Sequence, residues 1–152
     1  MTIPHIIRCR FVYICHMNQY SISIKEDDEG GKEGILTKVY RLTANAAVQR
    51  GDALRVATAD NKDMLTQFIN EGKRFLNDAL GRYSTGDLGY SMPENWPDRS
   101  SDINDLGESF LVNYSIAKWY ELNGTGERFI SSANEALEEI ARILNKRIKP
   151  ER

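Results

Sequence analysis

Between Asp60 and Gly81 the apolar residues recur at three- and four-residue intervals: Met64, Leu65, Phe68, Ile69, Gly72, Phe75, Leu76, Ala79 and Leu80. That spacing places them on one face of an amphipathic helix. Asp60 is positioned to cap it, with Asp63 in the first turn, and Gly81 ends it. Gly72 costs about 1 kcal/mol of helix propensity relative to Ala. Its place among large residues predicts a close crossing with another helix. Ile35, Leu36, Val39, Leu42 and Ala46 form an earlier stripe and predict a helix from Gly34 to Arg50. A third helix is predicted from Ser101 or Asp102 to Asn123. Its apolar residues (Ile103, Leu106, Phe110, Leu111, Val112, Tyr114, Ile116, Ala117, Trp119, Tyr120 and Leu122) wrap most of the circumference, as in a central or interface helix. Asn123-Gly124 stops it.

After a cap at Thr125, Phe129, Ile130, Ala133, Leu137, Ile140, Ala141 and Leu144 define a fourth helix. Glu135, Glu138 and Glu139 are expected to face water there, with Arg142 paired to Glu138. The short link makes helices three and four an antiparallel hairpin. Residues 20–25 alternate and are β-branched, which predicts a short strand, and Leu88 to Met92 predicts another. Residues 81–101, with Pro93, Pro97 and several turn formers, are expected to be irregular. The fold class that follows is mostly α: a small bundle of about four helices, ending in a hairpin, with a short N-terminal strand and an irregular 81–101 segment.

Composition adds a division of the chain. The 152 residues, 41% hydrophobic and 28% charged, suit one domain with a real core. The net charge of −2 draws it to neither nucleic acid nor an anionic membrane. No apolar run approaches the roughly 20 residues of a membrane helix. Both cysteines (Cys9, Cys15) and both histidines (His5, His16) fall in the first sixteen residues. Met17 then opens a sequence that reads as a natural start. Residues 1–16 are therefore expected to be an extension from a misassigned start codon, and 17–150 a single helical domain with a basic tail. A signal peptide is the alternative, but the apolar stretch from Phe11 to Cys15 is short and no small-residue cleavage site follows. The body from Met17 onward offers no imidazole and no thiol, which removes most hydrolase, protease, redox and zinc chemistry. It also fits a reducing cytoplasm. No catalytic, cofactor-binding or metal-ligating residues are assigned.

The remaining motifs read as structural. Gly30-Gly31-Lys32-Glu33-Gly34 lacks the spacing of a phosphate loop and is expected to be a flexible linker. The acidic run Glu26, Asp27, Asp28 and Glu29 lacks the alternation of a calcium loop and is expected to be a solvated turn. Arg50-Gly51-Asp52 reads as a helix stop, and the sequons Asn113-Tyr114-Ser115 and Asn123-Gly124-Thr125 as chance. The aromatic residues Tyr83, Tyr90 and Trp96 in the irregular segment are the candidate partner-binding residues, since Tyr and Trp are enriched at interface hot spots. Trp119 and Tyr120, on the central helix, read equally well as core. Lys146, Arg147, Lys149 and Arg152 form a basic end that complements a helix C-terminus and could also contact a partner or a phosphate.

The stretch DMLTQFINEGKRFLNDAL, then SFLVNYSIAKWYELNG and ANEALEEIARILNKRIKP, resembles the small helical neck proteins of tailed phages and prophages, the head–tail connector or adaptor proteins. The matching features are Ala117, Trp119, Tyr120 and Gly124, which stand as AxWYExxG in this chain, one residue closer than the AxxWYexxG of the family, the amphipathic helix over 126–145, and the basic, proline-terminated tail from Lys146 to Pro150. The resemblance spans roughly residues 60–150. It implies a structural subunit that docks on the portal ring and on neighbouring neck proteins. It implies a homo-oligomeric ring in assembly, from subunits that can be monomers alone, with no specific nucleic-acid binding and no membrane. Lys146 to Arg152 would then be a portal-docking tail, and 82–100 a loop toward a neighbour. The implied location is the bacterial host cytoplasm during assembly and then the virion neck. Two other classes stay open: a helical adaptor outside any virion, and an enzyme working with carboxylates, Lys or Tyr.

Overall fold

The computed structural model describes residues 17–50, 56–84, 86–121 and 127–148. Within them lie β1 (Met17–Ser21), α1 (Ile35–Arg50), α2 (Lys62–Ala79), β2 (Gly89–Pro93), α3 (Ser100–Glu121) and α4 (Glu127–Ile148). The small helical bundle predicted from the periodicity is the architecture observed, with β1 and β2 forming a two-stranded antiparallel sheet. The RGD stop, the second sequon, Thr125 and residues 1–16 lie outside the described residues.

The first strand lies upstream of its expected position. Tyr20 faces Tyr90 and Ser21 faces Gly89 in the register, and the Ile22 N–H still reaches the Leu88 carbonyl at 2.9 Å. At Ser23 the backbone N–H turns to the Asn104 side chain on α3, 2.6 Å away. The pattern of residues 20–25 marked burial instead: Ile22 is buried, and Ile24 packs partly against the core.

The glycine-rich stretch is an ordered turn and no flexible linker. Glu29 and Lys32 exchange both backbone hydrogen bonds, at 3.1 and 3.0 Å, around Gly30 (φ 58°) and Gly31 (φ 83°). A two-residue connection of this kind needs positive φ at both positions, which glycine adopts without strain. The chain then feeds α1 directly. The Ile35 and Leu36 N–H groups donate to the Lys25 and Glu26 carbonyls at 2.8 and 3.1 Å, and the Gly34 N–H donates to Asp28 Oδ1 at 2.8 Å. These bonds satisfy amides that open a helix without intrahelical partners.

On α2, Leu65, Ile69, Gly72 and Leu76 are buried. The crossing expected at Gly72 is present: a Cβ there would lie 2.8 Å from Leu111 Cδ2 and 3.1 Å from Tyr114 Cδ2. Four residues on, Leu76 lies beside Gly107, so α2 runs antiparallel to α3. Asp60 does not cap this helix. It lies exposed within a single 3₁₀ turn, Ala59–Asn61, whose entry is tied by the Thr58 N–H donating to Asn61 Oδ1 at 3.1 Å.

Helix α3 is buried nearly all round, as its sequence requires; Ile103, Phe110, Leu111, Ile116, Trp119 and Tyr120 are at most 2% exposed. It begins slightly earlier than expected. The Asp98 carboxylate accepts the Ser100 N–H at 2.9 Å, and hydrogen bonds from Ser100 hold its pKa below the ordinary carboxylate value. Helix α4 lies along α3 as the antiparallel partner, with the Phe129 ring 5.4 Å from that of Tyr120. Ala133, Ala136, Ile140, Ile143 and Leu144 form its buried stripe. Ile130, expected there, is 38% exposed, and Glu139 is half-buried, because the contact face is rotated toward Ala136 and Ile143. Arg142 accordingly pairs with Glu139 at 2.6 Å, where Glu138 was expected.

Candidate interaction surfaces

The irregular segment contributes core. Tyr83 and Tyr90, expected to meet a partner, are 4% and 1% exposed. Tyr83 donates its hydroxyl to Asn145 Oδ1 on α4, and Tyr90 stacks on Tyr20 across the sheet with ring centroids 5.5 Å apart. Both rings are occupied within the chain's own core, which corrects their assignment as surface contacts. Their position next to prolines and turn formers concealed this, because the pairing with β1 that covers Tyr90 is long-range in sequence. Leu88 closes the turn before β2 in the left-handed region (φ 53°), held by its N–H to Asn77 Oδ1 at 2.8 Å. Trp96 alone of the three aromatic candidates keeps part of its surface in solvent while packing on the core. The backbone of Lys146 and Arg147 belongs to α4, whereas Lys149 and Arg152 lie outside the described residues.

Sequence reasoning missed one aromatic. Phe75 falls on the predicted buried stripe of α2 yet is 55% exposed. Its ring sits 5.5 Å from that of Tyr114, which stacks in turn on Phe110 at 5.7 Å, with the Lys118 ammonium 5.8 Å from the Tyr114 ring centre. Met64, 41% exposed, lies three helical turns before Phe75 on the same side of α2. Tyr114 donates its hydroxyl to Glu71 Oε2 at 3.2 Å, and burial together with the Glu71 charge pushes its pKa up to about 12. Burial also raises the Tyr90 phenol. Both phenols therefore stay protonated further into the alkaline range than an exposed tyrosine.

The acidic run is the solvated turn expected, and it also clasps α2. Glu26 pairs with Lys73 of α2 at 3.1 Å, Asp27 with Lys62 at 3.3 Å and Glu29 with Lys25 at 3.4 Å. Asp28 accepts hydrogen bonds from Thr37 and the Gly34 amide, which lower its pKa. The three ion pairs leave little negative charge uncompensated there. Beyond this clasp a cleft of about 460 Å³ opens between the Ser23–Glu33 segment, α1 and α3. Lys25, Lys32 and Lys38 line it together with Glu33, Asp105 and Glu108, and Lys38 forms an ion pair with Glu108. A shallower trough of about 340 Å³ continues along α1 and α3 past Arg41, Leu42, Val112 and Asn113. Equal numbers of opposed charges give the larger cleft no net attraction for an anion or a cation. No sequence signal marks it, because its walls come from three separate stretches of chain.

Among the described residues, no group of three or more His, Cys, Asp or Glu side chains could hold a metal ion. None of the described helices is long and apolar enough to cross a membrane. Comparison with protein-family models, with curated proteins and with solved structures gives no significant match.

Proposed function

We propose that this chain is a structural subunit of a phage or prophage neck, a head–tail connector or adaptor that docks on the portal ring and on neighbouring subunits. The observation that supports it most is the placement of the residues carrying the resemblance. Ala117, Trp119 and Tyr120 are all buried at the end of α3, where Tyr120 meets Phe129 of α4. Residues Ala117 to Tyr120 thus act as a packing joint of the helical hairpin, which is the part a ring-forming helical subunit must hold rigid.

In this reading the protein works through shape and contact area. Phe75, Met64 and the solvent side of Trp96 are apolar groups available to neighbours. Lys146, Arg147, Lys149 and Arg152 supply a basic tail for the portal. Assembly takes place in the bacterial host cytoplasm and the product resides in the virion neck. DNA passing through such a ring favours a protein without a strong positive charge, since tight phosphate binding would impede passage.

Co-expression with the portal protein encoded in the same genome tests the proposal. A portal ring that co-purifies with this subunit at fixed stoichiometry is expected. A portal ring that stays bare with the subunit in excess would overturn it, as would substrate turnover by the purified chain starting at Met17.

A further inference from the structure

We infer that the outer edge of β1 is a pairing site for the same strand of a second copy of this chain. The direction of each backbone group in the sheet is fixed by its hydrogen bonds. Ser91 donates its N–H to the Tyr83 carbonyl at 3.1 Å, away from β1, so the facing pair Gln19–Ser91 is not hydrogen-bonded within the sheet. The same alternation applies at Ser21–Gly89, where the Gly89 N–H turns out to Gly86 at 3.2 Å. The N–H and C=O groups of Gln19 and Ser21 therefore point away from β2, and no backbone partner meets them among the described residues.

The two edges of the sheet differ. That of β2 is closed by the Tyr83 and Gly86 carbonyls and by Pro93, which has no N–H to offer. Among the described residues the edge of β1 runs open to Ser23, where Asn104 takes the next outward amide. Proteins commonly guard an open edge with a charge, a proline or a bulge. The sequence MNQYS has no charge and no proline, and its register with β2 is unbroken. A head-to-tail sheet would need the closed edge of β2, so two copies can join only β1 to β1.

Such a contact is self-complementary about a two-fold axis through Gln19. Gln19 meets its own counterpart, and Met17 and Ser21 meet each other, giving about six inter-strand hydrogen bonds by the antiparallel pattern. A charged strand would set like charges face to face across that axis; this one sets Gln against Gln, both exposed. A two-fold contact closes on itself and builds no ring, so this inference and the connector reading fail separately.

Hydrogen exchange and sedimentation of the full chain over a range of concentrations test it. The Gln19 and Ser21 amides are expected to exchange more slowly as concentration rises, in step with a dimer. Gln19→Lys and Gln19→Glu, at an exposed position, should each leave the fold intact and weaken the dimer by up to about fivefold, since like charges directly opposite repel. Mixing the two variants should restore pairing. Exchange at these amides that does not depend on concentration would overturn the inference. So would a Gln19→Lys protein that dimerises as well as the parent, or a mixture that gains nothing over either variant.

Discussion

Gly72 of α2 lies so close to Leu111 of α3 that a methyl group at position 72 would sit 2.8 Å from Leu111 Cδ2. Tyr114 closes the same space at 3.1 Å, and Leu111 is fully buried, so a methyl at position 72 must displace packed side chains. Gly72→Ala gains about 1 kcal/mol in helix propensity. Overpacking a filled crossing costs about 1–3 kcal/mol. The expected outcome is a net loss of about 1 kcal/mol in urea denaturation. In Leu111→Ala, which opens the space, the same change should become neutral or stabilising; an unchanged penalty there would locate the strain elsewhere.

Ser115 is fully buried on α3, and its hydroxyl has no hydrogen-bond partner among the described residues. An unsatisfied buried hydroxyl costs about 1–3 kcal/mol. Ser115→Ala should therefore raise stability by about 1 kcal/mol, read as a thermal midpoint about 2–4 °C higher. A lower midpoint would show that the hydroxyl contributes to packing or bonding. The same burial keeps the Asn113-Tyr114-Ser115 sequon from being read on the folded chain.

Tyr114 makes a prediction about alkaline pH. Its phenol titrates near 10 when unfolded and at about 12 in the fold, so between those values the native state holds a proton that the unfolded state releases. Its stabilising contribution is complete below pH 10 and is lost as pH rises through about 12. Denaturation midpoints should fall over that window. Tyr114→Phe, which removes the group, should flatten the fall, and the phenolate absorbance should lose one late-titrating component while that of the buried Tyr90 remains.

Phe75 separates surface function from stability. With 55% of its surface exposed, its truncation removes little buried area. Phe75→Ser should cost no more than about 1 kcal/mol in stability, well below the roughly 3–5 kcal/mol of a buried phenylalanine. If the ring meets a neighbour in a neck assembly, the variant should fold normally and capture the portal poorly. A large stability loss would instead make it a core residue.

The helices were legible because helical periodicity is local: three- and four-residue spacings disclose α1 to α4 without knowledge of what lies opposite. Gly72 was readable for a related reason, since a small residue in a large apolar stripe calls for something close beside it. The candidate sites were less legible. Tyr83 and Tyr90 look like loop aromatics until β1, some seventy residues away in sequence, is seen covering one and α4 bonding the other. Phe75 and Ile130 look like core because hydrophobic spacing gives the direction of a side chain and not the extent of the neighbour covering it.

The sequence by itself determined the helical class, the approximate extent of each helix, the crossing at Gly72 and the confinement of imidazole and thiol to the first sixteen residues. Tertiary structure alone decided which acids of the 26–29 run meet which lysines, where the ladder of β1 stops, and which aromatic groups remain at the surface. Those outcomes depend on contacts between residues far apart in the chain. Local propensity fixes the shape of each element, whereas burial and pairing are properties of two elements together.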